Sequence, residues 1–414
     1  MINVTLYELS KTTIIKKLTA AQLKCLQDSL TQEQKLNLSS VLPLDIPLKL
    51  VLVLNLDEEY WRKKCFENSW THVHYWLSDR DWKKTFLACH AENVIEDFIL
   101  QKTPLPEVEN SLLILKDCLR SLKINGYKFN YANIKTESFD PVDTKEHIER
   151  NILKLVSSFK NLEEIHFYNF PIDLELFVET NDDIRNSTNE LSEIFQEMKS
   201  LLKFSLVGTP SKSIDFPKLI NTMISFDTLI YLNLSCNQIT DDNCEHISKL
   251  LEQSRIQSLA LSNNFITNKG AEQIATVLKE NEYIFELKMN KNLIADKGAI
   301  SIMQSLMSNT RLLKLDLAHN KIDSQCSLVI CDLLGENKTL QSLNVTANPL
   351  GKETGKLLRD AIRRNTNLLT FEFQFCGFDV EDQDSIQMHL LENYQAHVQL
   401  CKLSPIKTAD ECIN

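Results

Sequence analysis

The sequence predicts an α/β solenoid, a curved stack of strand-and-helix units with parallel strands on its concave face and helices on its convex face. Three observations predict it: a phrase of the form L-x-x-L-x-L-x-x-N occurs six times, its spacing is nearly constant, and a helical pattern fills each interval. The ninth positions, 27, 28, 28, 28 and 28 residues apart, are Asn237, Asn264, Asn292, Asn320, Asn348 and Cys376. Such a repeat is typical of a structure that presents a surface rather than one that encloses a reaction.

Each phrase predicts a short strand followed by a turn. Apolar residues at the fourth and sixth positions, such as Leu232 and Leu234, alternate with polar ones, which is the period of a strand with one buried face. The asparagine can donate to and accept from backbone groups in the turn, and a buried polar group without a partner costs about 1–3 kcal/mol. Stacked copies therefore predict an asparagine ladder, in which the weak donor Cys376 serves the terminal copy.

Between the strands the apolar spacing becomes helical. Ala271, Ile274, Ala275 and Leu278 form one inward stripe, and the next repeat continues the pattern. A second asparagine series also recurs every 28 residues, and we expect it to end each helix in a left-handed backbone conformation, which asparagine tolerates. Its members are Asn281, Asn309, Asn337 and Asn365.

The phrase continues upstream in a looser form that begins at Leu119, Leu162 and Leu201. The intervals of 43 and 39 residues predict insertions near residues 131–141 and 179–189, and about nine units in residues 111–378. Downstream, in residues 379–414, an amphipathic helix over residues 381–400 is expected to cover the last repeat before a polar tail.

Residues 1–110 predict a separate helical domain, because they contain no repeat phrase and no glycine but all four tryptophans. Trp61, Trp70, Trp76 and Trp82 are interpreted as core residues, since tryptophan buries a large area. The predicted helices span residues 20–30, 46–55, 58–69 with Asp57 as N-cap, and 80–99 with Ser78 or Asp79 as N-cap.

Composition excludes several function classes. A net charge of −11 and a pI near 5.4 disfavour a nucleic-acid partner, and the basic cluster at residues 62–64 is interpreted as a solvated helix face. The eleven cysteines without C-x-x-C spacing and the start without a signal-like segment predict a reducing compartment. The longest apolar run, residues 42–56, is too short and too polar to span a membrane. No phosphate loop, metal motif or catalytic constellation stands out, so we expect no cofactor, no metal and no enzyme.

The concave strand face is the candidate binding surface, because solenoids usually bind there. Its side chains follow from the phrase and are polar and mixed in sign, and Tyr231 is the aromatic residue typical of a binding hot spot. The candidate residues are Tyr231, Asn233, Ser235, Ser258, Glu286, Lys288, Asn290, Lys314, Asp316, Asn344, Glu372 and Gln374. An extended contact without a dominant anchor, a partner held by the helical domain, and a face that stays solvated all remain open.

Two resemblances narrow the interpretation. The repeats resemble the ribonuclease-inhibitor type of leucine-rich repeat, whose solenoid has a horseshoe shape. The N-terminal segment is similar to the dynein regulatory complex subunit 5 family, also called the T-complex-associated testis-expressed protein 1 family. The similarity lies in a Leu-Pro opening, a Y-W-x-x-x-C helix, a following tryptophan and a W-K-x-x-F helix, although Asp81 stands where the family often has a small residue. The matching residues are Leu42, Pro43, Tyr60, Trp61, Cys65, Trp70, Trp82, Lys83 and Phe86.

The second resemblance implies a non-catalytic subunit of the nexin-dynein regulatory complex of motile cilia, which links doublet microtubules and helps to regulate inner-arm dynein and ciliary motility. Implied partners are coiled-coil and leucine-rich repeat subunits of that complex, with inner-arm dynein or doublet microtubule proteins as further candidates, and neither nucleic acid nor membrane. The implied location is the cytoplasm and cytoskeleton, at the axoneme of the cilium.

Two other classes stay open. The Leu-Pro opening with a later cysteine and tryptophan also resembles an F-box, which would make the chain a leucine-rich repeat substrate adaptor of a ubiquitin ligase. A GTPase-activating repeat protein fits less well, because such proteins usually begin their repeats near the N-terminus and end in an acidic tail.

Overall fold

A computed structural model of the chain describes residues 42–54, 56–68, 81–100, 102–126, 145–170, 198–209 and 216–403, and the single positions 28, 31 and 39. The chain divides into two compact units, one within residues 1–124 and 128–164 and the other within residues 125–127 and 165–414. Within the described residues, nine strands lie in one sheet in chain order. The predicted helix over residues 20–30 and the predicted insertions lie outside the described residues, and the domain boundaries at residues 110 and 378 stay predictions.

The first unit contains five described helices and most of one strand. They are α1 (Leu48–Leu54), α2 (Glu58–Glu67), α3 (Trp82–Ile99), α4 (Leu105–Leu113), β1 (Ser121–Asn125) and α5 (Lys145–Ser157). Helix α1 begins two residues later than predicted, because a residue that precedes proline, here Ile46, is disfavoured in a helix. The Pro47 carbonyl accepts the first backbone bonds of α1, from Leu50 at 2.9 Å and Val51 at 3.2 Å.

Aspartates begin helices α2 and α3. The Asp57 carboxylate accepts the Tyr60 N–H at 3.1 Å, which confirms the predicted N-cap of α2. The predicted cap of α3 at Ser78 or Asp79 is wrong. Asp81 occupies that position, because its carboxylate accepts the Lys84 N–H at 2.7 Å and satisfies a donor of the first turn.

The core of the first unit forms around aromatic residues of α2 and α3. Trp61 is buried and its ring lies 5.4 Å from that of Phe86, which confirms its predicted core role. Trp82 is only half-buried, and Trp70 and Trp76 lie outside the described residues.

The basic cluster at residues 62–64 is not a uniform solvated face, so that interpretation is wrong for Lys64. This side chain is buried and its Nζ donates to the Leu44 carbonyl at 2.5 Å. Burial lowers the Lys64 pKa against the opposing charges of Glu67 and Asp45.

The second unit repeats strand and helix. Its elements are β2 (Glu164–Tyr168), whose first residue lies in the other unit, β3 (Lys203–Val207), α6 (Phe216–Ile224), β4 (Tyr231–Asn233), α7 (Asp241–Gln253), β5 (Ser258–Ala260), α8 (Asn268–Leu278), β6 (Glu286–Lys288), α9 (Asp296–Leu306), β7 (Lys314–Asp316), a 3₁₀ turn (Ser324–Cys326), α10 (Ser327–Glu336), β8 (Ser342–Asn344), α11 (Lys352–Ile362), β9 (Thr370–Glu372) and α12 (Val380–Leu403).

The strands from β3 to β9 are parallel, and the fourth position of each phrase pairs with the same position of the next. Leu232 pairs with Leu259, and Leu259 pairs with Leu287. These leucines are fully buried, and the inward stripes of α8 and α9 are buried as well. The parallel sheet with one helix per repeat confirms the predicted leucine-rich repeat solenoid.

Helix α12 covers the last repeat, as predicted, and extends to residue 403. Two buried groups attach it: the Asp382 carboxylate accepts from Arg359 at 2.7 Å, and the Asn393 amide donates to the Asn365 and Leu368 carbonyls. Within the described residues, no helix combines the length and the apolar character that crossing a bilayer requires.

Candidate protein-binding surface

The asparagines at the end of each phrase fix the position of each strand relative to the next. The Asn292 amide nitrogen donates to the Leu261 carbonyl of the preceding repeat at 2.9 Å and to the Met289 carbonyl of its own repeat at 3.0 Å. Its oxygen accepts the Ile266 N–H at 3.2 Å. Asn237, Asn264, Asn320 and Asn348 also donate to the preceding repeat, and the Cys376 thiol donates to the Val345 carbonyl at 3.1 Å.

The left-handed backbone lies one residue before this ladder. Cys236, Asn263, Lys291, His319, Ala347 and Phe375 have φ between 53° and 64°. The expectation that the second asparagine series is left-handed is wrong, since Asn337 has φ −71° and the other members have no positive φ.

The second asparagine series acts through its side chains instead. The Asn309 amide donates to the Leu278 carbonyl at 2.6 Å, and its oxygen accepts the Arg311 and Leu312 N–H groups, each at 2.8 Å. These bonds supply partners for a helix end and for the backbone that leads into the next strand.

A third series, which sequence reasoning missed, joins the beginnings of the helices. The Asp241 carboxylate accepts the Thr267 N–H at 2.8 Å and the Gly270 N–H at 2.9 Å, so it caps the helix of the next repeat rather than its own. Asn268 does the same for Ala295 and Gly298, each at 2.9 Å. The signal in the sequence is an Asx residue at the first helical position of successive repeats.

The candidate residues lie in three rows across the strands. The first row runs in register through Tyr231, Ser258, Glu286, Lys314, Ser342 and Thr370. The second runs through Asn233, Ala260, Lys288, Asp316, Asn344 and Glu372. The residues two positions further along each chain segment, among them Ser235, Asn290 and Gln374, form the third. The strands thus bring the twelve candidates to one face.

Exposure differs among the rows. Ser235 and Ser258 are buried. Most of the other candidates are half-buried, and Glu372 and Gln374 on the last strand are exposed. Hydrogen bonds across the strands join some of these side chains, for example Asn344 to Glu372 at 3.0 Å.

A small charge network occupies the middle of the face. The Glu286 carboxylate accepts the Ser258 hydroxyl at 2.6 Å and lies 3.0 Å from the Lys288 ammonium. Burial raises the Glu286 pKa, but the hydrogen bonds from Ser258 and Lys288 and the charges of Lys288 and Lys314 outweigh it, so the pKa lies below its usual value. Burial raises the pKa of Asp316. The face therefore offers fixed charges of both signs.

Sequence reasoning missed the aromatic contribution of the looser repeats. His166 and Tyr168 on β2 alternate with buried Ile165 and Phe167, and their rings stack with centroids 6.3 Å apart. The His166 ring contacts the Ser205 hydroxyl of β3 at 2.8 Å. The phrase that begins at Leu162 has the same alternation of apolar and polar positions, which is the sequence signal for His166 and Tyr168. The candidate residues, however, all belong to the six regular copies.

No enclosed metal site or deep cavity is evident in the described part of the chain. It contains no group of three or more His, Cys, Asp or Glu side chains arranged to hold a metal ion. Two depressions of about 340 and 370 Å³ lie beside α7 and α8, and residues such as Glu252, Thr276 and Val277 line both. They are shallow and lie away from the strand rows.

Comparison with known proteins agrees with the repeat assignment. The leucine-rich repeat family model matches residues 228–245. Dynein regulatory complex subunit 5 of Mus musculus is 26% identical over 258 residues, which cover 59% of this chain and 45% of the relative. The chain thus matches less than half the length of this relative.

Three solved structures show some likeness to this chain. The leiomodin-1 actin-binding site 2 has 21% identity and a TM-score of 0.35, over 38% of this chain and 91% of that one. A Listeria monocytogenes internalin has 17% identity and a TM-score of 0.35, over 72% and 92% of the two chains. The Caenorhabditis elegans tropomodulin C-terminal domain has 16% identity and a TM-score of 0.26, over 56% and 98%.

Proposed function

We propose that this leucine-rich repeat protein, similar to dynein regulatory complex subunit 5, is a non-catalytic scaffold subunit of the nexin-dynein regulatory complex in motile cilia. The match to the mouse subunit is the observation that carries the proposal. In this role the chain resides at the axoneme, helps to link doublet microtubules and helps to regulate inner-arm dynein through protein contacts.

The strand face suits a scaffold because its side chains have fixed positions. Hydrogen bonds of the three series join neighbouring regular repeats, so little conformational entropy is lost there when a partner binds. The face offers half-buried charges of both signs and, at its N-terminal end, His166, Tyr168 and Tyr231. We expect an extended contact with another subunit, anchored by these aromatic residues and oriented by the central charges.

The test is location and co-purification. A tagged copy expressed in ciliated cells should lie along the axoneme and should co-purify with subunits of the dynein regulatory complex after salt extraction. A variant with Tyr231→Ala and Lys314→Glu should lose most of this recovery. The matched control is Lys297→Glu, whose side chain is 78% exposed on helix α9 and does not belong to the strand rows, and it should retain recovery.

Other outcomes would contradict the proposal. A tagged protein that is absent from the axoneme, or that purifies with a ubiquitin-ligase scaffold, would favour the F-box-like alternative. Turnover of a substrate by the purified chain would show that it is an enzyme. Equal recovery of the double variant and the control would show that the strand face does not hold the partner.

A further inference from the structure

A second surface lies at the turns that leave the strands, outside the three rows. The residue after each ladder position is, in chain order, Gln238, Phe265, Leu293, Lys321, Pro349 or Gly377. Because the fold accepts six different side chains at this position, it does not require an apolar one. Phe265 and Leu293 nevertheless remain 51% and 38% exposed.

The two apolar side chains come from adjacent repeats and their backbones are fixed. The Phe265 N–H donates to the Ile239 carbonyl at 2.8 Å, and the Leu293 N–H donates to the Ile266 carbonyl at 2.9 Å. Leu293 is therefore bonded to the residue that follows Phe265. The pair forms a preorganised apolar site, for which binding requires little backbone ordering.

Two lysines and a histidine lie on the same turns as this pair or on the next one. Lys291 and His319 are exposed at the left-handed turn positions, and Lys321 is exposed at the position equivalent to Leu293. Neither lysine forms an ion pair with another described residue. The carboxylate that follows, Asp323, accepts the Gln325 N–H at 2.8 Å. The two lysines thus add exposed positive charge to this edge, next to the carboxylates of Asp323 and Asp296, in a chain whose net charge is −11.

We propose that this turn-edge patch, Phe265, Leu293, Lys291, His319 and Lys321, binds an acidic protein segment that carries an apolar or aromatic side chain. The apolar side chain would cover Phe265 and Leu293, and carboxylates on either side would pair with Lys291 and Lys321. A nucleic acid fits less well, because the exposed apolar pair calls for an apolar side chain. The proposal is independent of the strand-face function, since none of these five residues belongs to its rows.

The experiment mixes the full chain with a short fluorescent peptide of aspartate and glutamate that has a central Leu-Phe pair. Binding of the peptide is measured by fluorescence anisotropy. Saturable binding should weaken about tenfold or more in Phe265→Ser and in Lys321→Glu, and should weaken as ionic strength rises. The matched controls are Leu328→Ser, whose side chain is 67% exposed on α10, and Lys297→Glu on α9. Both should bind as the unchanged protein does. Thermal melting checks folding, and the exposed Lys321→Glu keeps the test decisive should Phe265→Ser fail to fold.

Several results would overturn the proposal. They are an absence of peptide binding, equal weakening by the control variants, or equal affinity for a peptide with serines in place of the Leu-Phe pair. Tighter binding of an oligothymidine of the same length would point to nucleic acid instead. Self-association that is lost in Phe265→Ser, measured by analytical ultracentrifugation, would assign the patch to a second copy. Tyr231→Ala with Lys314→Glu should leave peptide binding unchanged, which separates this inference from the proposed function.

Discussion

Asn292 illustrates how one side chain determines local structure in this fold. Its amide satisfies carbonyls of two repeats and a backbone N–H of the preceding repeat, so a hydrocarbon of the same size cannot replace it. The residue before it, Lys291, has φ 56°, which an amino acid other than glycine adopts only at a cost. The ladder holds that strained turn in place.

We predict that Asn292→Leu lowers the free energy of unfolding by at least about 2 kcal/mol. The buried Ile266 N–H loses its partner, and the Leu261 and Met289 carbonyls each keep only the bond from the neighbouring asparagine of the ladder. Asn290→Ala is the matched control, since Asn290 is half-buried and its oxygen accepts from the Ser262 hydroxyl. We expect the control to change stability by less than about 1 kcal/mol. Chemical denaturation measures both, and an unchanged midpoint for Asn292→Leu would contradict the role of the ladder.

A second residue-scale prediction concerns Glu92 on α3. Burial raises its pKa to about 7 and Glu96 adds to this, against the charge and the backbone N–H of Lys123. As the pH rises, the unfolded chain loses the Glu92 proton near the ordinary pKa of a glutamate. The folded chain retains this proton up to about pH 7. The associated stability is fully present below that ordinary value and is lost as the pH rises through about 7.

We therefore expect Glu92→Gln to stabilise the protein relative to wild type at about pH 8, with a difference that shrinks towards about pH 5. Urea denaturation at the two pH values measures this, and the difference between the variants isolates Glu92 from other titrating groups. Glu109→Gln on the exposed side of α4 is the control for the loss of a surface carboxylate. A constant difference for Glu92→Gln would contradict the raised pKa.

At the scale of elements, the packing of neighbouring helices depends on glycines without room for a side chain. A Cβ on Gly298 of α9 would lie 2.9 Å from both the Asn268 Cα and the Ala271 Cβ of α8, whereas a Cβ on Gly335 of α10 would meet nothing within 4 Å. Both glycines are in helices, where alanine alone would be favoured by about 1 kcal/mol.

We predict that the two alanine substitutions have opposite effects. Gly298→Ala should destabilise by about 1–3 kcal/mol because α9 must move away from α8. Gly335→Ala should stabilise by about 0.5–1 kcal/mol through helix propensity. Thermal unfolding of the two variants gives the comparison, and a shift of the same sign in both would refute the close approach of α8 and α9.

The elements that the sequence predicted well are those with a strong period. Alternating leucines and inward helix stripes specified the strands and helices of the regular repeats, and Asp57 specified the start of α2. The cap of α3 was missed because several polar residues precede this helix, and only the fold selects Asp81. The burial of Lys64 was missed because it depends on a carbonyl 20 residues away.

The sequence predicted the arrangement of the candidate surface but not the exposure of its side chains. The phrase gave the order of the strand rows, because parallel strands in register place equal positions side by side. It did not predict which side chains are exposed to solvent, since the candidates Ser235 and Ser258 are buried. The turn-edge patch was missed because no single repeat contains it: Phe265, Leu293 and Lys321 become neighbours only when the repeats stack.

At the scale of the whole molecule, the solenoid depends on the cover of its last repeat. Helix α12 buries Phe371 and Phe373 and is held there by Asp382 and Asn393. Because repeats are stabilised by their neighbours, an uncovered terminal repeat exposes apolar surface. We predict that a chain truncated after residue 379 self-associates in size-exclusion chromatography, whereas one truncated after residue 403 stays at its original elution volume. Identical elution of the two would contradict this capping role.

The most direct test of a scaffold that works through its strand face is cross-linking mass spectrometry on isolated axonemes that contain the untagged chain. Lys203, Lys288 and Lys314 lie on the strands, and Lys297, Lys352 and Lys356 on the helices serve as internal controls. We predict cross-links from the strand lysines to another subunit of the dynein regulatory complex, and few from the helix lysines. Cross-links confined to the helix lysines, or a chain that is absent from the axoneme, would contradict the central claim.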